Sequence, residues 1–275
     1  MDTVAIQGIS GAFHEEAALK YFGAEIKTSS SKSFLELLNK VAGGDADYGI
    51  IAIENTVAGT IHSNLQLLKE SNLFIIGEIN LRIEQNLAAL PGTDIQELTE
   101  VRSHYMALNQ AKLFLDQYPQ IIRINDLDTA TSLKAVSNNQ LKNVGAIGSR
   151  HGAELYGLEI IASGIETHKL NYTRFLAVSN EVDSNHSNNK SSWLLKLKHE
   201  KGALASLLMA LDQKDINLSK IESFPIIGEP WHYEFFIDLE FEDLKLHLLA
   251  EKIISDQATS HVLLGTYKAF VTPGA

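Results

Sequence analysis

The chain has 275 residues, 45% of them hydrophobic, no cysteine and a formal net charge of −11. Without cysteine there is no disulfide, no thiolate nucleophile and no cysteine-built metal site. The acidic balance argues against a nucleic-acid partner, since the lysines are scattered and only "KLKHEK" at 196–201 is clustered.

No apolar run reaches the roughly 18 residues a membrane span requires, so no membrane partner is expected. "MDTVAIQGIS" lacks a basic segment followed by an apolar one, so the expected location is the cytoplasm. At this length two domains are expected. From the N-terminus, short apolar runs alternate with helical patterns. "TVAI" leads to "AFHEEAALKYF", "YGIIAI" to "GTIHSNLQLLKE", "EVRS" to "HYMALNQAKLFLDQ", "IIRIN" to "DTATSLKAVSNN", and "VGAIGS" to "RHGAELYG". This alternation predicts an α/β domain with largely parallel sheets. The middle piece, "LFIIGEINLRIEQNLAAL", is longer and strand-like, and suits a crossing from one lobe to another. "NEVDSNHSNNKS" (180–191) is polar, without apolar period, and reads as a linker. After it come a strand "SWLLKLK", a helix "GALASLLMALDQ", strands "INLSKIESFPI" and "WHYEFFIDLEF" joined by "IGEP", a helix "EDLKLHLLAEKIIS" and a strand "HVLLGTYKAFV". The order βαββαβ is the ferredoxin-like plan.

The strand-to-helix junctions of the first domain carry glycine, hydroxyls or small polar residues: Gly8-Ile9-Ser10-Gly11, Glu54-Asn55-Thr56 with Gly59, Ser103-His104, Asp128-Thr129-Ala130-Thr131 and Gly148-Ser149. In parallel α/β sheets the ligand crevice lies beyond the carboxyl ends of the strands. Helix N-termini gathered there favour an anion. The same residue types are also ordinary helix caps. Gly8 and Gly11 lack the third glycine of a dinucleotide fingerprint. "HEEA" at 14–17 is not a zinc motif, because Ala18 stands where a second histidine would, and no metal is expected. His104, at a helix start, reads as a surface residue more readily than as a general base.

"LNYTRFLAVS" (170–179) suits a buried strand except for Thr173 and Arg174. A charge between Tyr, Phe and Leu needs a partner or a cleft. A guanidinium matches a carboxylate in two-pronged geometry. Together these residues point to a cleft that binds a small carboxylate.

Several stretches resemble prephenate dehydratase: "GISGAF" (8–13), "GDADYGIIAIENTVAGT" (44–60), "DTATSLKAV" (128–136), "AIGS" with "AELYGL" (146–158), and "NYTRF" (171–175). "KGALA" (201–205) and "INLSKIESFPI" (216–226) resemble the ACT regulatory domain. The resemblance covers nearly the whole chain. It implies a two-lobed catalytic domain, similar to periplasmic binding proteins, over 1–179. Lobe 1 would be about 1–78 and 162–179, and lobe 2 about 79–161. A linker at 180–190 and a ferredoxin-like ACT domain at 191–275 would follow.

The implied reaction converts prephenate to phenylpyruvate with loss of water and carbon dioxide, toward L-phenylalanine, with no cofactor. By resemblance Thr173 would act on the leaving hydroxyl, Arg174 would bind a carboxylate and Phe175 would pack on the ring. Ser10, Asn55, Thr56, Thr129 and Ser149 would contact substrate. L-phenylalanine would bind between subunits of a homodimer or homotetramer, at Gly202, Ala203 and Leu204 with Asn217 and Leu218, the two segments at one end of the sheet. The chain departs from the family pattern at Phe224, where an arginine is usual, and in "SHYMAL" (103–108). Two other readings are an arogenate dehydratase and a non-catalytic amino-acid sensor. The hydroxyl of Thr173 beside Arg174 argues against the sensor.

Overall fold

The computed structural model describes residues 1–270. The chain forms two compact units, one of Met1–Leu67 with Ile79–Phe175, the other of Leu68–Glu78 with the chain from Leu176 onward. The last residues of the expected ACT domain, 271–275, including the end of "HVLLGTYKAFV", lie outside the described residues.

The first unit opens with β1 (Thr3–Gln7), where Val4, Ala5 and Ile6 are fully buried. An uninterrupted apolar run is what a strand covered on both faces needs. Next along the chain come α1 (Phe13–Phe22), β2 (Lys27–Ser31), α2 (Phe34–Ala42), β3 (Tyr48–Asn55), β4 (Gly59–Thr60), α3 (His62–Glu70) and β5 (Phe74–Arg82), the end of α3 and the start of β5 belonging to the second unit. Then follow β6 (Asn86–Ala89), a 3-10 turn (Ile95–Glu97), β7 (Glu100–Ser103), α4 (Tyr105–Gln110), α5 (Lys112–Leu115), β8 (Ile122–Asn125), α6 (Thr129–Asn138), β9 (Val144–Gly148), α7 (Arg150–Leu155), β10 (Glu159–Ala162) and β11 (Tyr172–Ser179).

The elements expected from the sequence include neither β2 nor α2, although Phe34, Leu37, Leu38 and Val41 of α2 keep the i, i+3, i+4, i+7 spacing of an amphipathic helix. β2 is an edge strand of sequence KTSSS, largely in contact with water, so nothing selects for apolar alternation there. The start of α2 is legible by its cap. Ser33 accepts from Glu36 N at 3.2 Å, and the Glu36 carboxylate accepts from Lys32 N at 2.8 Å, close to a reciprocal capping box. The single helix expected over "HYMALNQAKLFLDQ" is broken at Ala111 into α4 and α5.

Two sheets result. One has six strands in the order β2-β1-β3-β11-β5, with β4 paired to β3. Its β1 runs parallel to both β2 and β3. The other has five strands in the order β10-β6-β9-β7-β8, parallel between β7, β8 and β9 and antiparallel at β6 and β10. Leu87, Val101, Leu115 and Ile147 centre the core on one side of the second sheet, and Leu133, Val136 and Ala153 that on the other.

In the second unit, β12 (Lys190–Leu197), α8 (Ala203–Asp212), β13 (Asn217–Pro225), β14 (Tyr233–Glu240), α9 (Leu244–Gln257) and β15 (Ala258–Tyr267) form a four-stranded sheet ordered β13-β14-β12-β15. Its pairs are antiparallel, which is the βαββαβ plan. Trp193, Leu195, Ile237 and Leu239 meet Leu207, Leu211, Ala250 and Ile254 of the helices. α9 turns slightly from the face its leucines suggest, so His247 is buried and Leu246 only partly so. Leu68–Glu78 belongs to this unit. There the Glu78 carboxylate takes Lys190 Nζ at 3.0 Å and Phe270 N at 2.9 Å.

Candidate active site

Side chains alternate along a strand. On β11, Thr173 and Phe175 therefore share one face, and Tyr172 and Arg174 the other. Burial follows the alternation: Thr173 is 8% exposed and Phe175 1%, while Tyr172 and Arg174 are half-buried. Thr173 and Phe175 line a cavity of about 420 Å³, joined by His14 of α1, Asn55 at the end of β3, Gln85 before β6, Gln110 ending α4 and Thr129 opening α6.

Arg174 does not line this cavity, nor does any other arginine or lysine. Arg174, expected to bind a carboxylate, stands on the opposite face of β11 from Thr173. The one formally charged lining residue is Asp128, and its carboxylate caps α6. It accepts from Thr131 N at 2.7 Å and Thr131 Oγ1 at 2.8 Å.

A chain of amides holds Thr173. Asn55 Nδ2 donates to Thr173 Oγ1 at 3.0 Å, to Asn171 Oδ1 at 2.7 Å and to the Tyr172 carbonyl at 3.1 Å. Asn55 Oδ1 accepts from Val57 N and Ala58 N at 3.0 and 2.8 Å, which fixes the amide's orientation. Asn171 Nδ2 and Gln85 Nε2 both donate to Gln110 Oε1 at 3.0 Å. Thr173 thus receives a hydrogen bond on its oxygen and keeps its own O–H for a ligand. Asn171, Gln85 and Gln110 were not expected as site residues. Their signal is polarity inside buried runs: Asn171 is fully buried and Gln85 is 3% exposed.

Two polar atoms of lining residues are buried without a hydrogen-bond partner, Gln85 Oε1 and His14 Nε2. An unmet buried polar atom costs about 1–3 kcal/mol, so each is a place where a ligand's polar group gains more than it would in water. The His14 ring meets Phe175 edge-on at 5.0 Å and Phe34 at 5.3 Å. Burial pushes its pKa down from 6.5 to about 4. In that interval the unfolded chain binds more protons than the folded one, so stability falls as the pH drops. The contribution, complete above pH 6.5, declines by on the order of 3 kcal/mol by pH 4. His14→Gln should flatten that part of the stability–pH curve, as read by urea unfolding at pH 4.5 and 7.

The other expected contacts divide. Asn55 and Thr129 line the cavity; Ser10, Thr56 and Ser149 do not. Thr56 Oγ1 donates to the Leu170 carbonyl at 2.8 Å and accepts from Tyr172 N at 2.9 Å, so it latches β11 to the end of β3. Ser10 gives its carbonyl to Tyr156 OH at 2.6 Å. Ser149 caps α7 through Gly152 N at 2.9 Å and donates to the Gly11 carbonyl at 2.7 Å. Its hydroxyl is spent on seating the loop after β1 against α7. Ser149 is 1% exposed, and Ser149→Ala should cost about 1–3 kcal/mol in denaturant unfolding. His104 is half-buried and does line the cavity, but its Nδ1 accepts from Met106 N at 3.3 Å as the cap of α4.

In the second unit, Ala203 and Leu204 line a cavity of about 570 Å³ with Lys196, Lys198, His232 and Phe235. Gly202 precedes them as the α8 cap with φ +86°. Asn217 and Leu218 line a different cavity, with Leu208, Leu211 and Asp212. The two segments were expected at one end of the sheet. They lie at opposite ends of α8, whose ten residues span about 15 Å, because a strand that follows a helix starts where the helix stops.

A family model described as prephenate dehydratase matches residues 4–183. The bifunctional chorismate mutase/prephenate dehydratase of Stutzerimonas stutzeri is 32% identical over 267 residues, covering 96% of this chain and 72% of that protein. Among solved structures, prephenate dehydratase from Arthrobacter aurescens in complex with L-Phe is 26% identical with a TM-score of 0.86, covering 98% of this chain and 93% of that one. GqqA, described as a novel type of quorum-quenching acylase, is 27% identical with the same TM-score over 98% of each chain. With the matched region holding every residue of the amide-braced cavity, the chain belongs to the prephenate dehydratase family.

Proposed function

We propose that the cavity beside β11 is where prephenate is dehydrated and decarboxylated, with Thr173 acting on the departing hydroxyl. The chain is a prephenate dehydratase. The observation that carries the site assignment is the Asn55–Thr173 hydrogen bond, which holds the threonine oxygen in the cavity lining. In the reaction, the bond to the ring carboxylate breaks and carbon dioxide leaves. The freed electron pair aromatises the ring. The bond to the ring hydroxyl then breaks with its electrons on oxygen, which takes one proton and leaves as water. Aromatisation supplies the driving force, so the reading requires no cofactor.

Thr173 aims a donor at that oxygen, and solvent replaces the proton. A hydroxyl is a weak acid, so its placement matters most. Phe175 and Phe34 give the ring an apolar wall. The first turn of α1 reaches the cavity at Phe13 and His14, and its dipole is already met by Glu15 and Glu16, the Glu15 carboxylate accepting from Gly11 N at 2.6 Å. Prephenate, a dianion, does not cross membranes unaided, so a cytoplasmic location goes with this reading. Incubation with prephenate and, separately, arogenate, followed by phenylpyruvate absorbance in alkali and phenylalanine analysis, tests it. No product from either sinks the assignment, and preference for arogenate redirects it.

We read the βαββαβ unit as an ACT domain that binds L-phenylalanine as a feedback inhibitor. The support is "KGALA" at the start of α8, "INL" at the start of β13 and the L-Phe complex of the Arthrobacter protein. Since one chain separates these segments by the length of α8, a site using both joins two subunits, in a homodimer or homotetramer. A route inward runs along β5. Asn217 and Ser219 hydrogen-bond Glu240. Burial pushes the pKa of that carboxylate up, but these bonds and Lys190 outweigh it and hold it below the usual range. Lys190 also holds Glu78 on β5, and the chain then continues to Ile83 and Gln85 in the cavity lining. Gly202→Val puts a β-branched residue at positive φ and should weaken L-phenylalanine binding at least tenfold in calorimetry. Unchanged binding would move the effector site elsewhere.

A further inference from the structure

We propose that His14 is a second catalytic residue of the dehydration, its Nε2–H donating a hydrogen bond to the same departing oxygen that Thr173 serves. The proposal rests on the assignment of this cavity to prephenate.

His14 lines the cavity, its Nε2 is buried without a protein partner, and its ring packs edge-on against Phe175 at 5.0 Å. Phe175 is two residues from Thr173 on the same face of β11, so one aromatic ring touches the imidazole and shares a strand face with Thr173, and all three side chains line the same cavity. Sequence reading found no use for this histidine beyond excluding a zinc motif. The fold nonetheless leaves it as a cavity-lining residue whose Nε2 is buried without a hydrogen-bond partner.

The substrate's chemistry selects the donor role. Prephenate carries two carboxylates, a ketone and one hydroxyl. Every one of these accepts hydrogen bonds, and only the hydroxyl donates. An Nε2–H therefore finds a partner in any of them, and gains most at the oxygen whose negative charge grows as its bond to carbon breaks. Two fixed donors, Thr173 Oγ–H and His14 Nε2–H, then receive that oxygen as an oxyanion hole receives a developing charge. His14 remains uncharged throughout and transfers no proton; the proton on the departing water comes from solvent through Thr173, as above.

His14→Phe keeps an aromatic ring against Phe175 and Phe34 and removes both nitrogen atoms, at the cost of a slightly larger ring. If the proposal holds, kcat falls on the order of 10²–10³-fold while KM changes less than about threefold, and the melting temperature at pH 7 is unchanged or higher, because an unmet polar atom has left the interior. His14→Gln places an amide N–H near the Nε2 position and should recover at least a tenth of wild-type kcat. A merely structural histidine predicts the opposite pattern, with stability lost in the Phe variant and no rescue by Gln. Should the Phe variant fail to fold, His14→Met, apolar and adaptable, takes its place. A kcat within fivefold of wild type in the apolar variant, or a Gln variant as impaired as it, overturns the proposal. Wild-type protein that forms no phenylpyruvate defeats the underlying assignment instead, so the two failures are distinguishable.

Discussion

Thr173→Ala should lose on the order of 10²–10⁴ in kcat while folding as the wild type does. The fold is expected to survive because Asn55 Nδ2 keeps its bonds to Asn171 Oδ1 and the Tyr172 carbonyl when the hydroxyl is removed. What disappears is a cavity-lining hydroxyl whose oxygen is pinned by the Asn55 amide. Thr173→Ser restores that hydroxyl with a looser rotamer, since the branched side chain is stiffer at χ1, and should recover a large part of the rate. Arg174→Lys supplies the contrast. Because Arg174 lies on the other face of β11 and outside the cavity lining, its substitution should reduce kcat/KM far less than Thr173→Ala does. Steady-state kinetics on the three variants decide. A Thr173→Ala enzyme within threefold of wild type removes Thr173 from the chemistry, and an Arg174→Lys loss equal to that of Thr173→Ala restores the clamp.

The contrast between Thr173 and Arg174 also shows what a sequence conveys about a site. The motif "NYTRF" identifies the strand and two of its cavity-facing residues. A linear string puts threonine and arginine side by side, whereas the pleat separates them onto opposite faces. Asn55 and Thr129 were legible because they sit at strand-to-helix junctions, where ligands gather. Ser10, Thr56 and Ser149 occupy equivalent junctions, but the hydroxyls of Thr56 and Ser149 are consumed by the backbone, and that of Ser10 bonds the Glu15 carboxylate. His14 and Gln85 escaped because their importance lies in missing partners, and no spacing rule reports a missing partner. Most elements with a buried face were legible, α2 being the one passed over although Leu37, Leu38 and Val41 are buried. The edge strands β2 and β10 were not, since they carry little apolar alternation. The effector segments "GALA" and "INL" were found by resemblance, yet their separation by α8 follows from chain direction alone.

The division into units exposes a further limit and carries the second large effect, that of Gly265→Ala. Sequence reading places the boundary in the polar stretch after β11, and treats Leu68–Glu78 as part of the first lobe. In the fold, that segment belongs with the chain from Leu176 onward, and Gly265 of β15 shows how tightly it is held. A Cβ at Gly265 would stand 2.0 Å from the Ile75 carbonyl oxygen, 2.8 Å from its carbonyl carbon and 2.9 Å from its nitrogen. These are backbone atoms, so no side-chain rotation relieves the clash, and one of the two strands must move. The register of β15 against β12 already shifts beside this glycine, between Ser192 and Trp193. A bulge of this kind re-aims a strand and makes close backbone approach possible. The same segment is anchored by the buried Glu78–Lys190 pair at 3.0 Å, so displacing it also strains a charge pair whose rupture is costly. Gly265→Ala should therefore destabilise this unit by about 3 kcal/mol or more, lowering its melting temperature by roughly 10–20 °C. Differential scanning calorimetry measures the shift, and protease cleavage between Leu68 and Glu78 reports whether the segment has been released. A variant that melts within 1 °C of the parent and resists cleavage there would show that β15 does not press on Ile75, and that Leu68–Glu78 owes its place to other contacts.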